Sequence, residues 1–202
     1  MSRMKRIGLP AILAAALLTS GCAPLLVGGA AVGGALVATD RRSTGVQLED
    51  QGLELKAAQR IRATVGERSH VSVNSYNRQV LLTGEVYNEA DKAAIEQAVS
   101  RVDGVRSVVN DLTVGWPSST SERSRDLVLT AKVKATLVDA AGLSANAFHV
   151  VTEREVVYLM GRVTEEEATR AVDLARAVPG VAKVVRLVEI LTPEQLRNLK
   201  AR

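Results

Sequence analysis

An internal repeat is the feature that most constrains the fold of this chain. Residues 80–86 (VLLTGEV) match residues 157–163 (VYLMGRV) at an offset of 77, and residues 102–109 match residues 178–185 at an offset of 76. Upstream, two runs of apolar residues spaced four apart match at an offset of 72: Ala57, Ile61 and Val65 with Leu129, Val133 and Leu137. Three matching blocks in the same order predict that one structural unit has been duplicated.

Both copies predict the same order of helices and strands. The apolar residues spaced four apart indicate a first helix. Two short strands joined by a tight turn follow: residues 70–75 and 78–84 in the first copy, 148–153 and 155–161 in the second. A second helix comes next, predicted from Asn88 to Val102 and from Thr164 to Val178. The third strand is predicted at residues 105–114 and 181–191.

This order, α-β-β-α-β, predicts an α+β fold. Each unit is expected to form a three-stranded mixed sheet with two helices on one face. Gly84 and Gly161 fall at strand ends, where we expect them to serve backbone geometry rather than chemistry.

The N-terminal residues are typical of a targeting segment. Three cations, Arg3, Lys5 and Arg6, precede an apolar run of about a dozen residues, which is too short to span a bilayer comfortably. Small residues then precede Cys22, the only cysteine. This pattern resembles a bacterial lipobox, in which the chain is cut before the cysteine and the thiol accepts a lipid. The alternative is an ordinary secretory signal with an incidental cysteine.

The sequence therefore divides into five segments. We predict a lipoprotein signal peptide at residues 1–21, a lipidated flexible tether at 22–46, repeat units at 47–116 and 117–192, and a C-terminal tail at 193–202. The tether is rich in Ala and Gly. Its Gly29-x-x-x-Gly33 spacing leaves helix packing in a membrane as an alternative to a flexible linker.

Charge and composition argue against several classes of function. The formal net charge of +4 includes three cations of the predicted signal peptide, so the mature chain carries only +1. With aromatic residues at 2%, a nucleic-acid partner is not expected. His70 and His149 do not occupy equivalent repeat positions, and we expect neither a metal site nor a cofactor. The chain has no Gly-x-Ser-x-Gly elbow and no phosphate loop, so we expect a binding module without catalytic residues.

The repeat units resemble the BON domain, a small αββαβ module of bacterial periplasmic and membrane-associated proteins. The residues that carry the resemblance are Val80, Leu82, Gly84, Val86, Val102, Gly104, Val105, Val108, Val109 and Asn110, with their second-copy equivalents. Together with the lipobox, the Ala/Gly-rich stretch and residues 38–43, they resemble the dual-BON outer-membrane lipoprotein family of Gram-negative bacteria. That resemblance implies binding of anionic phospholipid and roles in cell division and envelope integrity. Ala23 after the lipidated cysteine implies sorting to the outer membrane, facing the periplasm.

The first helix of the second unit carries the candidate binding residues. Opposite its core face runs a second apolar stripe with lysines at the margins: Leu127, Val128, Ala131, Lys132, Lys134, Ala135 and Val138. The corresponding face of the first unit contains Lys56, Gln59 and Ala63, which is typical of a solvated surface. The stripe predicts an interfacial helix whose apolar side enters the acyl chains while its lysines meet lipid phosphates. The alternative is a face that packs against the first unit or the tether.

Two functional hypotheses remain open at this point. In the first, the protein binds anionic phospholipid, and phosphatidylglycerol is the expected species. The resemblance implies that the same helix makes the lipid contact. In the family, an aromatic residue is typical at the position of Val128. In the second, it is a periplasmic adaptor for outer-membrane assembly proteins, and the lipid is only an anchor. Trp116 lies between the two units, where it either packs between them or reaches the membrane.

Overall fold

The structure is a computed structural model that describes residues 40–66 and 69–200. The predicted signal peptide, Cys22 and the predicted tether up to Thr39 lie outside the described residues. Within the described part, none of the helices combines the length and the apolar composition that crossing a membrane requires.

The first repeat unit follows the predicted order. Its elements are α1 (Thr44–Val65), β1 (His70–Tyr76), β2 (Gln79–Val86), α2 (Glu89–Ser100), β3 (Ser107–Asn110) and β4 (Thr113–Val114). Strand β2 pairs antiparallel with β1 and parallel with both β3 and β4. The predicted third strand is thus broken in two. At the break, the Asn110 side chain accepts a hydrogen bond from the Leu112 amide (3.3 Å), which interrupts the strand ladder.

The second unit repeats this arrangement. Its elements are α3 (Thr120–Asp139), a 3₁₀ turn (Ala145–Ala147), β5 (Phe148–Glu153), β6 (Val156–Val163), α4 (Glu165–Arg176) and β7 (Lys183–Ile190). Strand β6 lies between antiparallel β5 and parallel β7. The predicted α+β fold with mixed sheets is confirmed. A further helix, α5 (Pro193–Lys200), begins where the sequence predicted only a tail.

Each unit buries an apolar core between its two helices and one face of its sheet. In the first unit this core includes Ala57, Ile61, Val80, Leu82 and Ile95. Its counterpart in the second unit includes Leu129, Val133, Val157, Leu159 and Ala171. Helices α1 and α3 contribute these residues at every fourth position, as the sequence pattern predicted.

The predicted role of the two strand glycines in backbone geometry is confirmed. A Cβ atom on Gly84 would lie 2.1 Å from the His70 carbonyl oxygen, and one on Gly161 would lie 2.5 Å from that of Ala147. Both distances are far below van der Waals contact, so only glycine lets the neighbouring backbone approach this closely.

The structure corrects the register of the repeat in the first helices. Ser43 and Ser119 cap α1 and α3, and the buried Asp50 and Asp126 follow at the same spacing, so the helices correspond at an offset of 76 rather than 72. Apolar residues spaced four apart match equally well one turn out of register. The polar residues remove that ambiguity.

Asp50 and Asp126 have the same role in their units. Asp50 accepts hydrogen bonds from the Asn77 and Arg78 amides (both 2.8 Å), and Asp126 accepts from those of Arg154 (2.8 Å) and Glu155 (3.0 Å). These four amides belong to the tight turns β1–β2 and β5–β6, whose residues have φ between 50° and 64°. A buried carboxylate on the first helix therefore holds each turn in its left-handed conformation.

The two units dock through the sheet faces that their helices leave uncovered. Tyr76 and Leu81 of the first sheet pack against Tyr158 and Met160 of the second, and all four are at most 4% exposed. The Tyr158 hydroxyl donates to Asp111 Oδ2 (2.8 Å). Strands β2 and β6 are consequently buried on both faces, and the layers run helix, sheet, sheet, helix.

The segment before α1 also belongs to the fold. Arg41 forms a bidentate ion pair with Glu167 at the start of α4 (2.6 and 2.7 Å), and its Nη1 donates to the Arg162 carbonyl (2.9 Å). Arg42 pairs with Asp40 and Asp50 within its own unit. The predicted tether reached residue 46, whereas in the structure the fold already includes Asp40 and α1 begins at Thr44.

Candidate functional site

The predicted binding residues lie together on the outer face of α3, and we call them the α3 stripe. All seven are exposed: Leu127, Val128, Ala131, Lys132, Lys134, Ala135 and Val138. The large apolar members are far from covered, with Leu127 72%, Val128 56% and Val138 66% exposed. Cys22, the predicted lipidation residue, lies outside the described residues.

The rotation of α3 that exposes the stripe is fixed by two features. The opposite face places Leu129, Val133 and Leu137 in the core, each at most 6% exposed. At the N-terminus, Ser119 and Glu122 form a reciprocal capping box, in which each side chain bonds the backbone amide of the other residue. The stripe therefore cannot turn inward without breaking the core.

The first unit does not cover the stripe. The units meet through their sheets at Tyr76, Leu81, Tyr158 and Met160, on the side of the second unit away from α3. The alternative in which the stripe packs against the first unit is therefore wrong. The stripe is an exposed apolar surface on a helix whose unit docks on the first unit through its other side.

A shallow groove runs along one margin of the stripe. It has a volume of about 430 Å³ and is lined by Arg125, Val128, Leu129, Lys132, Pro179 and Gly180. The groove thus combines apolar side chains with two cations and with two carboxylates, those of Asp126 and Glu155.

Helix α1 has exposed leucines that sequence analysis missed. Leu48 is 64% exposed and Leu55 is 68% exposed. At the corrected offset of 76 they correspond to Ser124 and Ala131 of α3. Their seven-residue spacing was visible in the sequence. However, the offset of 72 paired other residues of α1 with the α3 stripe, so these leucines were not considered.

Trp116 does not pack between the units. It is 83% exposed, and its ring meets that of Tyr87 edge to face, with centroids 5.8 Å apart. Tyr87 follows β2 and is itself 41% exposed. The pair forms an aromatic projection where the chain passes from the first unit to the second.

A cluster of titratable groups lies at one end of the sheet–sheet interface. One ligand atom from each of His70, Glu85 and Glu153 lies within 4.8 Å of the other two. Burial, with the charges of Glu85 and Asp126, raises the pKa of Glu153. Burial, together with the Arg123 guanidinium, lowers the pKa of His70. The sequence could not reveal this cluster, because it forms only when β1 and β2 meet β5 of the other unit.

Sequence comparisons with known proteins agree with the presence of two repeat units. A family model described as BON domain matches residues 50–115 and 125–192. The chain is 35% identical to "Outer membrane lipoprotein DolP" of Haemophilus influenzae over 95% of this chain and 98% of that protein. It is 28% identical to "21 kDa hemolysin" of Actinobacillus pleuropneumoniae over 74% of this chain and 78% of that one. CdsD, a structural protein of the type III secretion system of Chlamydia trachomatis, aligns over 75% of this chain and 98% of that one, at 17% identity and a TM-score of 0.31.

Proposed function

The chain belongs to the dual BON-domain outer-membrane lipoprotein family, and from this premise we propose that it binds anionic phospholipid through the α3 stripe. It is a lipid-anchored protein of the outer membrane with a role in envelope function. The family matches favour a binding role rather than catalysis. We propose Cys22 as the acylated residue, and retention of fatty-acid label by a Cys22→Ala variant would overturn that assignment.

The exposure of the stripe is the observation that supports the lipid proposal. Val128 and Val138 remain more than half exposed in a protein whose interdomain contact lies elsewhere. Burying such side chains among acyl chains is favourable, and the protein is held at a membrane in any case. Lys132 and Lys134 extend from the margins of the same helix, where they can meet lipid phosphates.

Co-sedimentation with vesicles tests the proposal. The mature chain, unlipidated through Cys22→Ala, is mixed with phosphatidylcholine vesicles with or without phosphatidylglycerol. We expect binding that increases with the anionic lipid. Changing Val128 and Val138 to Glu should weaken it by about tenfold or more, because each carboxylate meets a desolvation cost and repulsion from phosphate.

Helix α1 provides the matched control. Leu48→Glu with Leu55→Glu places two carboxylates on exposed apolar positions of the other unit, and binding should stay within about twofold. If the folded Val128/Val138 variant still sediments like the unchanged protein, the stripe is not the lipid contact. Indifference of the unchanged protein to anionic vesicles would favour the adaptor hypothesis, in which the lipid serves only as an anchor.

A further inference from the structure

The two ends of the sheet–sheet interface correspond through the repeat but differ in charge. At one end, which we call the Arg42 end, the Arg42 guanidinium lies 4.0 Å from the centroid of the Tyr76 ring. It also forms ion pairs with Asp40 (2.7 Å) and Asp50 (2.8 Å). Arg162 adds a second cation at this end and pairs with Glu189 (3.2 Å).

At the opposite end, which we call the Glu85 end, neither cation is kept and carboxylates occupy two of the equivalent positions. The repeat offsets of 76 and 77 align Ser118 with Arg42, and Glu85 with Arg162. They also align Glu153 with Tyr76. At these three positions the Glu85 end therefore has two cations fewer and two acids more, and Arg123, which aligns with Gln47, adds one cation back.

The negative charge of the Glu85 carboxylate is only partly neutralised by its surroundings. Its side chain is fully buried, and Oε2 accepts a hydrogen bond from the Ser118 amide (3.0 Å). Oε1 is buried with no hydrogen-bond partner in the part of the chain that the structure describes. Among the described residues, the cation that pairs with Glu85 is the half-exposed Arg154, whose Nη1 lies 3.7 Å from Oε1 and so beyond hydrogen-bond distance. A buried carboxylate oxygen in this state carries a substantial desolvation cost.

The neighbouring side chains complete a set of metal ligands. His70 and Glu85 are direct partners across β1 and β2, and Glu153 arrives from β5 of the other unit. Their ligand atoms lie within 4.8 Å of one another, so small side-chain shifts would bring them to the spacing of about 3.3 Å found around a tetrahedral Zn²⁺. One imidazole nitrogen with two carboxylates suits Zn²⁺ and related ions, whereas Mg²⁺ and Ca²⁺ prefer oxygen alone.

We propose that His70, Glu85 and Glu153 bind a divalent transition-metal ion that joins the two repeat units. The ion supplies at the Glu85 end the positive charge that Arg42 supplies at the other. The inference differs from the sequence expectation of no metal site, and it is independent of lipid binding by the α3 stripe.

Two arginines compete with the ion for the same groups. Arg123 Nη1 lies 3.3 Å from His70 Nδ1, and Arg154 is the ion-pair partner of Glu85. Each guanidinium group already contacts a proposed ligand side chain and adds positive charge beside the site. Removing either arginine should therefore tighten metal binding, which a merely structural polar cluster would not show.

Calorimetric titration with ZnCl₂ tests the proposal on the mature chain carrying Cys22→Ser, so that no thiol binds the ion. We expect saturable binding of one Zn²⁺ and a higher melting temperature. Glu85→Gln keeps the size of the side chain and should weaken binding by at least about tenfold. Arg154→Ala should strengthen it several-fold.

Glu189→Gln is the matched control, because it removes an interface carboxylate at the Arg42 end. Its Zn²⁺ affinity should equal that of the unchanged protein. Absence of saturable binding would overturn the proposal, and so would equal affinity in the folded Glu85→Gln and Glu189→Gln variants. If Glu85→Gln raises the melting temperature while Zn²⁺ has no effect on either protein, Glu85 is only a costly buried acid and the proposal is wrong.

Discussion

At the scale of single residues, burial changes the acid–base behaviour of several side chains. His149 shows the effect most clearly, because burial, aided by the charge of Lys134, lowers its pKa to about 4. Its Nε2 atom is buried without a hydrogen-bond partner among the described residues. The folded protein therefore keeps this ring neutral under conditions in which an exposed histidine would be protonated.

His149 should consequently make the protein less stable in mild acid than it would be without this histidine. Between pH 6.5 and 4 the unfolded chain binds a proton at His149 that the folded chain does not, so unfolding becomes more favourable as the pH falls. The free energy of unfolding is measured with urea at pH 7 and at pH 4.5. We expect its decrease between these pH values to be smaller for His149→Gln than for the unchanged protein. The difference should be on the order of 2 kcal/mol. An identical loss in both proteins would contradict this account.

At the scale of secondary-structure elements, each first helix holds the hairpin of its own unit through one buried carboxylate. Asp126 of α3 accepts hydrogen bonds from both amides of the β5–β6 turn. The turn places two non-glycine residues, Arg154 and Glu155, at positive φ. The helix thus does more than cover the sheet, because it also fixes where the hairpin turns.

Asp126→Ala should destabilise the protein by about 2–3 kcal/mol, because two turn amides lose their acceptor. Asp126→Asn retains one acceptor oxygen and should lower the free energy of unfolding by less than Asp126→Ala does. Asp139→Ala, on the exposed end of the same helix, is the control and should change the free energy of unfolding by less than about 0.5 kcal/mol. Chemical denaturation of the three variants measures these differences, and similar values for Asp126→Ala and Asp139→Ala would refute the role of the carboxylate.

The sequence predicted the elements well because each depends on local periodicity. Alternating and four-residue patterns placed the strands and helices, and the exposed α3 stripe followed from the position of Val128 on the helix face away from Val133 and Leu137. The helix register could not be fixed by apolar residues that repeat every turn. The cluster of His70, Glu85 and Glu153 was beyond prediction, because the packing of one sheet on the other is not encoded in any local pattern.

At the scale of the whole molecule, the two units share a core. Leu81 and Met160 are fully buried where the sheets meet, although each belongs to a different unit. Separating the units would expose this apolar face to water. We infer that their folding is coupled, with each unit stabilised by the other.

A buried charge at this interface should separate the units without removing either inner core. Met160→Asp makes docking unfavourable by several kcal/mol, because the carboxylate has no partner there. Scanning calorimetry should show one transition for the unchanged protein and two for the variant, the first at lower temperature. Val138→Asp, which adds the same charge at an exposed position, should keep one transition. A single transition in Met160→Asp would show that the units do not melt separately.

The ion pairs before α1 determine how the protein takes up mechanical load applied at Asp40. Arg41 precedes α1 in the chain, yet its side chain is fastened to Glu167 of α4 in the second unit. The neighbouring Arg42 is fastened to Asp50 of α1 in the first unit. Tension that arrives along the chain is therefore shared between the two units before it can peel α1 from its sheet.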